Sequence, residues 1–219
     1  LEAHGALLVT GILTNPVGET YYNNLLSLGA GEALYNKRHL VPFGEYFPLG
    51  YLWKDSVRGL ATIGDDFTAG DADKPLLQVG AYQAGASICY EIIFGEEIRE
   101  ALPEAHFLIN MSNDAWFGKT VGPLQHFEMA RMRALENGRY LLRATNTGVT
   151  AIIDPLGRVQ ERLPQFERGE LSGSFRPYQG STPYADYGHL GLWLLWAGIV
   201  AWIIIPGRGK RRLPPGFEQ

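Results

Sequence analysis

The single cysteine of this chain, Cys89, stands in the run GASICYEIIFGEE. An apolar strand ends there and an acidic helix start follows. Such strand-to-helix elbows are where α/β proteins display nucleophiles. N–H groups at a helix start favour a thiolate and can hold an oxyanion. Glu91, Glu96 and Glu97 close by oppose ionisation, so a cation must come from elsewhere in the chain. The pattern leaves two readings open: an inert core thiol, as free cysteines usually are, or a nucleophile.

Lys37, in LYNKRHLVPFGEYFP, is the candidate cation. Most lysines are solvated, but Tyr35, Leu40, Val41, Phe43, Tyr46 and Phe47 surround this one. A lysine buried among them must be paired or functional, and there it could activate a thiolate or stabilise a tetrahedral oxyanion. The run SNDAWFG from Ser112 to Gly118 follows an apolar strand. Its polar groups, Asn113 among them, fit either a ligand crevice at a strand's carboxyl end or an Asx-capped turn. His126 invites a general-base role, but a satisfied structural histidine is the better reading. No Ser-His-Asp order, phosphate loop or metal-ligand spacing such as HExxH is present. One cysteine also excludes an internal disulfide and a multi-cysteine zinc site. No metal or cofactor is expected.

These residues need elements to position them. Short apolar runs at 6–13, 32–39, 76–79, 85–90, 107–111, 140–145 and 149–154 read as strands alternating with helical patterns, an α/β layered fold. Asp154-Pro155-Leu156-Gly157 is a type I turn signal leading into a hairpin strand at 158–163. The clearest helix covers 123–138, with Pro123 in its first turn and an apolar stripe of Leu124, Phe127, Ala130 and Ala134. A second helix begins near Glu91. Residues 41–75 are rich in Pro, Gly and aromatics without periodicity, as in a lid or binding arm, and 173–187 read as a linker.

With 219 residues, 46% hydrophobic and a net charge of -4, the chain is neither disordered nor a basic nucleic-acid binder. Its mean hydropathy of -0.09 averages over an uncharged run at 190–205, LGLWLLWAGIVAWIII. With its flanks the run has about 18 residues, enough for a membrane-spanning helix. Arg208, Lys210, Arg211 and Arg212 follow, which by the positive-inside rule sets the C-terminus in the cytoplasm and everything earlier on the far side. The chain begins at Leu1 with no signal peptide. It therefore reads as the C-terminal part of a longer protein.

Four stretches together resemble the carbon-nitrogen hydrolase (nitrilase) superfamily, and within it the integral-membrane branch of apolipoprotein N-acyltransferases. They are YNKRHLVPFGEYFP at 35–48, ASICYEIIFGE at 86–96, SNDAWFG at 112–118 and GPLQHFEMARMRALENGR at 122–139. The resemblance implies a nitrilase-like α-β-β-α sandwich over 1–180, incomplete at its N-terminus. A linker at 181–188, a transmembrane helix at 189–206 and a basic cytoplasmic tail at 207–219 would follow. It implies a Glu-Lys-Cys triad with Cys89 as nucleophile and Lys37 as the lysine, supported by Glu45, Glu91, Tyr90 and Asn113. The family's base Glu sits in a Trp-Pro-Glu segment. Glu2, Glu19 and Glu32 do not follow such a pair, so the base is expected outside this chain and the isolated chain is expected to be inactive. The implied reaction moves an acyl chain from a phospholipid, through a Cys thioester, to the N-terminal amine of a diacylglyceryl apolipoprotein. The implied setting is a bacterial inner membrane, multi-pass, with a periplasmic catalytic domain. A membrane-tethered amidase and a non-catalytic anchored fragment are the alternatives.

Overall fold

The computed structural model describes residues 5–15, 20–29, 31–48, 67–71 and 74–204. Strands β1 (Leu8–Thr14), β2 (Tyr22–Leu28) and β3 (Ala33–Asn36) form an antiparallel sheet in chain order. A second sheet holds β4 (Leu76–Val79), β5 (Tyr82–Ile88), β6 (Phe107–Ser112), β7 (Leu141–Thr145), β8 (Ala151–Ile153) and β9 (Val159–Arg162), again in chain order. Its centre, β5 to β6 to β7, is parallel and its flanks are antiparallel.

Parallel neighbours need crossovers, and the two crossovers carry the helices. Between β5 and β6 lie a 3-10 turn at Cys89–Ile93 and the short helix α1 (Gly95–Arg99). Between β6 and β7 lies α2 (Gly122–Asn137). Pro123 occupies its first turn, and Gly138 ends it at φ 59°, the left-handed cap that glycine adopts without a Cβ clash. Of the expected stripe, Phe127, Ala130 and Ala134 pack on Leu108, Leu141, Ala151 and Ile153, whereas Leu124 is exposed. Across the large sheet, Ala84, Ala86, Ile88, Phe107 and Ile109 pack against Leu25 and Tyr35 of the small sheet. The central strands are thus covered on both faces, as parallel strands usually are, and Ser87, Asn110 and Arg143 are buried on them as well.

The α/β sandwich expected from the sequence is present. The layers among the described residues are sheet, sheet and helix; the second helical layer of an α-β-β-α sandwich is not among them. β1 accordingly leaves Leu8, Ile12 and Leu13 exposed. β2 lies where the sequence showed no strand, and the helix expected from Glu91 begins as a 3-10 turn.

The chain forms two compact units, Leu1–Asp186 and Tyr187–Gln219. In the first, residues 175–186 are packed rather than loose. Phe175 packs at a tilt against Phe107, the Tyr178 N–H donates to the His106 carbonyl, and Ala185 of α3 (Pro183–Tyr187) is buried with Ala101, Leu102 and Ala105. In the second, α4 (Leu190–Ile204) has 15 residues and no buried one. At 1.5 Å per residue that is about 22 Å, short of the ~30 Å hydrocarbon core of a bilayer. Among the described residues no helix is long and apolar enough to cross a membrane. The transmembrane helix expected over 189–206 is therefore not borne out there, and the basic tail at 207–219 lies outside the described residues.

Candidate active site

A cavity of about 950 Å³ opens where the three parallel strands end. β5 delivers Cys89 and Tyr90 to it, β6 delivers Ser112 and Asn113, and β7 delivers Thr145 and Asn146. Helix α2 contributes Gln125, His126 and Met129; the small sheet contributes Leu13, Asn23 and Leu25, and the segment after β3 contributes Val41 and Glu45. Most of these side chains are apolar or uncharged, and among the described residues Glu45 is the one carboxylate in the lining. Outside the carboxyl ends of parallel strands is where open α/β sheets bind ligands.

Cys89 has φ 52°, the left-handed region that a residue with a side chain rarely adopts. Such a conformation costs on the order of 1–3 kcal/mol and persists only where surrounding contacts impose it. The elbow read in the sequence is therefore a physical one: the extended chain of Ile88, at φ -118°, turns sharply at the thiol. The thiol is partly exposed, in the cavity wall rather than the core.

Glu91 fastens this elbow to the lysine segment. Its carboxylate is buried and accepts from the backbone N–H of Ile88 at 2.7 Å, of Arg38 at 2.7 Å and of His39 at 3.1 Å, and from the Tyr35 hydroxyl at 2.9 Å. Burial pushes this carboxyl above its ordinary value, against the pull of those donors. Burial and the same carboxylate raise the Tyr35 hydroxyl well above its usual range. The other acidic neighbours expected to crowd Cys89 are taken up elsewhere. Glu96 pairs with Arg99 at 2.6 Å and Glu97 with the His39 ring at 2.7 Å.

Lys37 is 1% exposed, as its apolar setting in the sequence suggested. Its Nζ donates to both carboxylate oxygens of Glu45, at 2.8 and 2.6 Å. Glu45 also accepts from the Val41 N–H at 2.8 Å and the Asn23 amide at 3.2 Å. The cavity lining thus includes Glu45, and Lys37 reaches the site through it without being part of the lining.

The other side of the cavity rests on a buried polar network that sequence reading missed as a unit. Asp114 accepts from the Ser112 hydroxyl at 2.6 Å and from the Arg143 Nη2 at 3.0 Å, and the His126 Nδ1 lies 3.0 Å from its carboxylate and 3.1 Å from the same Arg143 Nη2. Burial would raise the Asp114 carboxyl, but the His126 hydrogen bond, the Arg143 charge and the Ser112 hydroxyl together hold it below its ordinary value. Arg143 also donates to Asn110, whose amide donates to the Ser87 hydroxyl at 3.0 Å. Burial lowers the Arg143 pKa, opposed by Asp114 and by Cys89. The Nε2 of His126 lies 3.1 Å from the Cys89 carbonyl oxygen. That oxygen only accepts, which assigns a proton to Nε2. Asn113 caps the next 3-10 turn, its Oδ1 accepting from the Ala115 N–H at 3.2 Å and from the Asn146 amide. The sequence held one signal for this network: Arg143 is a charge inside an apolar strand, YLLRAT, which demands a buried partner.

Cys89, Tyr90, Glu45 and Asn113 thus share one cavity, with Lys37 and Glu91 bound to its walls. Among the described residues no group of three His, Cys, Asp or Glu side chains could hold a metal ion. A cysteine elbow at the carboxyl edge of a parallel core, inside a sheet-on-sheet sandwich, defines a nitrilase-type α/β fold. The carbon-nitrogen hydrolase sequence profile matches residues 1–177, and the chain belongs to that family. An amidase from Nesterenkonia superposes with a TM-score of 0.57 at 20% identity, over 89% of this chain and 68% of that one. A carbon-nitrogen hydrolase from Helicobacter pylori gives 0.55 at 19% identity, over 74% and 59%. Among curated relatives, apolipoprotein N-acyltransferases are 50% identical over 198 residues in Methylococcus capsulatus and 45% over 213 residues in Pseudomonas aeruginosa. Those alignments cover 90% of this chain and 39% and 40% of the two relatives. The chain therefore spans about two fifths of the length of the relatives it matches.

Proposed function

We propose that this chain is the thiol-bearing part of an apolipoprotein N-acyltransferase. The observation that carries the reading is Cys89 held at φ 52° on the rim of the cavity at the ends of the parallel strands. Relatives of that name at 42–50% identity support it.

In this reading the Cys89 thiolate attacks the ester carbonyl of a phospholipid. The C–S bond forms, the C–O bond breaks, and the departing lysophospholipid oxygen takes the proton the thiol gave up. The α-amine of a diacylglyceryl-cysteine then attacks the thioester, the C–N bond forms, the C–S bond breaks, and the amine proton returns the sulfur to its resting state. Lys37, oriented by Glu45, stabilises the tetrahedral oxyanion of both steps. Glu91 holds the lysine segment against the elbow, Tyr90 and Asn113 shape the cavity beside the sulfur, and no cofactor takes part. A base must accept the thiol proton. The one carboxylate in the lining, Glu45, is committed to Lys37 and Val41, and Nε2 of His126 is committed to a carbonyl. Among the described residues no free carboxylate faces the thiol, and we take the base, as the family resemblance implies, to be a Glu outside residues 1–219, the third member of a Glu-Lys-Cys triad.

Both substrates are lipids, so the site must lie near a bilayer. Helix α4, exposing Leu192, Trp193, Leu195, Trp196, Trp202 and Ile203 with no polar face, supports attachment of this segment to the membrane. The proposed setting is the bacterial inner membrane, with the site on the periplasmic side and the basic C-terminus in the cytoplasm.

The test is acyl transfer by the full-length protein in detergent, with phospholipid and a diacylglyceryl peptide. Cys89→Ser should abolish transfer, because a hydroxyl is a far weaker nucleophile than a thiolate. Undiminished transfer by that variant would remove Cys89 from the reaction, and release of free fatty acid in place of the amide would favour an amidase-type hydrolase.

A further inference from the structure

The buried network beneath Cys89 is not required by the reaction just described, yet it ends on the backbone of the proposed nucleophile. It begins two residues earlier on the same strand. Ser87 of β5 binds Asn110 of β6, Asn110 accepts from Arg143 of β7, and Arg143 binds Asp114. Asp114 binds His126 of α2, and His126 reaches the Cys89 carbonyl at 3.1 Å. The chain of contacts therefore closes a ring through three parallel strands and one helix, back to the elbow.

We propose that His126 is a positioning residue for Cys89: by holding the Cys89 carbonyl from the Asp114–Arg143 platform, it keeps the thiol in its left-handed elbow and aimed into the cavity. The inference rests on Cys89 being the nucleophile. Two observations separate it from the plain structural histidine that the sequence suggested. His126 lines the cavity, and its acceptor is the peptide of the strained residue rather than a distant loop. Three buried polar groups, Asp114, His126 and Arg143, also cost desolvation that an apolar core would avoid. His126 is not itself the base, because its Nε2 proton is directed at a carbonyl. Without that hydrogen bond the Cys89 peptide is free to relax towards the extended conformation of Ile88, which swings the sulfur away.

Gln and Asn separate the two halves of the imidazole. In the full-length protein, the amide of His126→Gln can occupy the Nε2 position and donate to the Cys89 carbonyl. The amide of His126→Asn is one methylene shorter and reaches only Asp114. The readouts are the rate of iodoacetamide alkylation of Cys89 and the rate of acyl-adduct formation with phospholipid, both followed by mass spectrometry on the Cys89 peptide. His126→Gln should stay within about threefold of wild type. His126→Asn should fall about thirtyfold or more, since a displacement near 1 Å at a reacting group costs on this order. Equal rates for the two variants, fast or slow, would overturn the proposal. A merely structural role lowers the melting temperature of both and spares the rates below it. Absence of any acyl adduct in wild type would sink the acyltransferase reading, while the alkylation rates would test the positioning role on their own.

Discussion

The two sides of the cavity are built differently. The Cys89 side stands on the six-stranded sheet, whose central strands are covered on both faces and whose one buried arginine is answered by Asp114. The Lys37 side stands on the three-stranded sheet, whose edge strand β1 leaves Leu8, Ile12 and Leu13 exposed. Its lysine is held by a carboxylate at the cavity surface rather than by a closed network. The first side is tied together by contacts among the described residues of its own sheet and helix. The second depends on a few linking contacts, chiefly the three that Glu91 accepts from Tyr35, Arg38 and His39. A cysteine needs its aim fixed within a fraction of an ångström, whereas an oxyanion cation acts through a charge with gentler distance dependence.

Removing the strongest tie on each side should expose the difference. Arg143→Leu leaves Asp114 buried without its cation and should cost about 3–5 kcal/mol by chemical denaturation. A loss under 1 kcal/mol would show that the network is not the support of the Cys89 side. Lys37→Met should act on rate instead, with acyl transfer falling on the order of a hundredfold in the folded protein. Lys37→Arg should rescue little, because a planar guanidinium presents its donors differently from an ammonium.

The two buried carboxyls should respond to pH in opposite directions. Asp114 is held below its ordinary value in the folded protein, so its contribution is present above about pH 4 and lost as pH falls through the folded value. The stability gap between wild type and Asp114→Asn should therefore narrow in acid. Glu91 is raised, so its contribution is full below about pH 4 and is lost as pH rises through the folded value. Glu91→Gln should accordingly gain on wild type from acid towards neutral pH. Melting temperatures from pH 3 to 7 check both signs. The smallest effect belongs to the open edge. Ile12→Thr should cost no more than about 0.5 kcal/mol, against about 2–5 kcal/mol for Leu108→Ala in the two-sided core.

The same division governed what could be read from the residues. The strands expected at 76–79 and 107–111 are short, mostly apolar runs, each broken by a single polar residue, Gln78 and Asn110, and their covered faces make them legible. β2, YNNLLSL, is not legible, because Asn24 is fully buried yet polar, satisfied by Thr14 and Asn36 on its neighbouring strands. Only the pairing of those strands explains it. The cysteine elbow and the buried lysine were visible as local patterns. The Ser87–Asn110–Arg143–Asp114–His126 ring was not, since its members are far apart in sequence and Arg143, a charge inside an apolar strand, signals only that it needs a partner, not which one. Strand order brings them together.

The central claim is that Cys89 is the acyl-bearing nucleophile. Incubate the full-length protein with phospholipid of defined chain length, quench in acid, and weigh the proteolytic peptide containing Cys89. The account predicts a mass increase of one acyl group on that peptide, removed by hydroxylamine, discharged by a diacylglyceryl peptide and absent from Cys89→Ser. Acyl transfer proceeding while the Cys89 peptide keeps its unmodified mass, or an adduct on another residue that turns over, would contradict it.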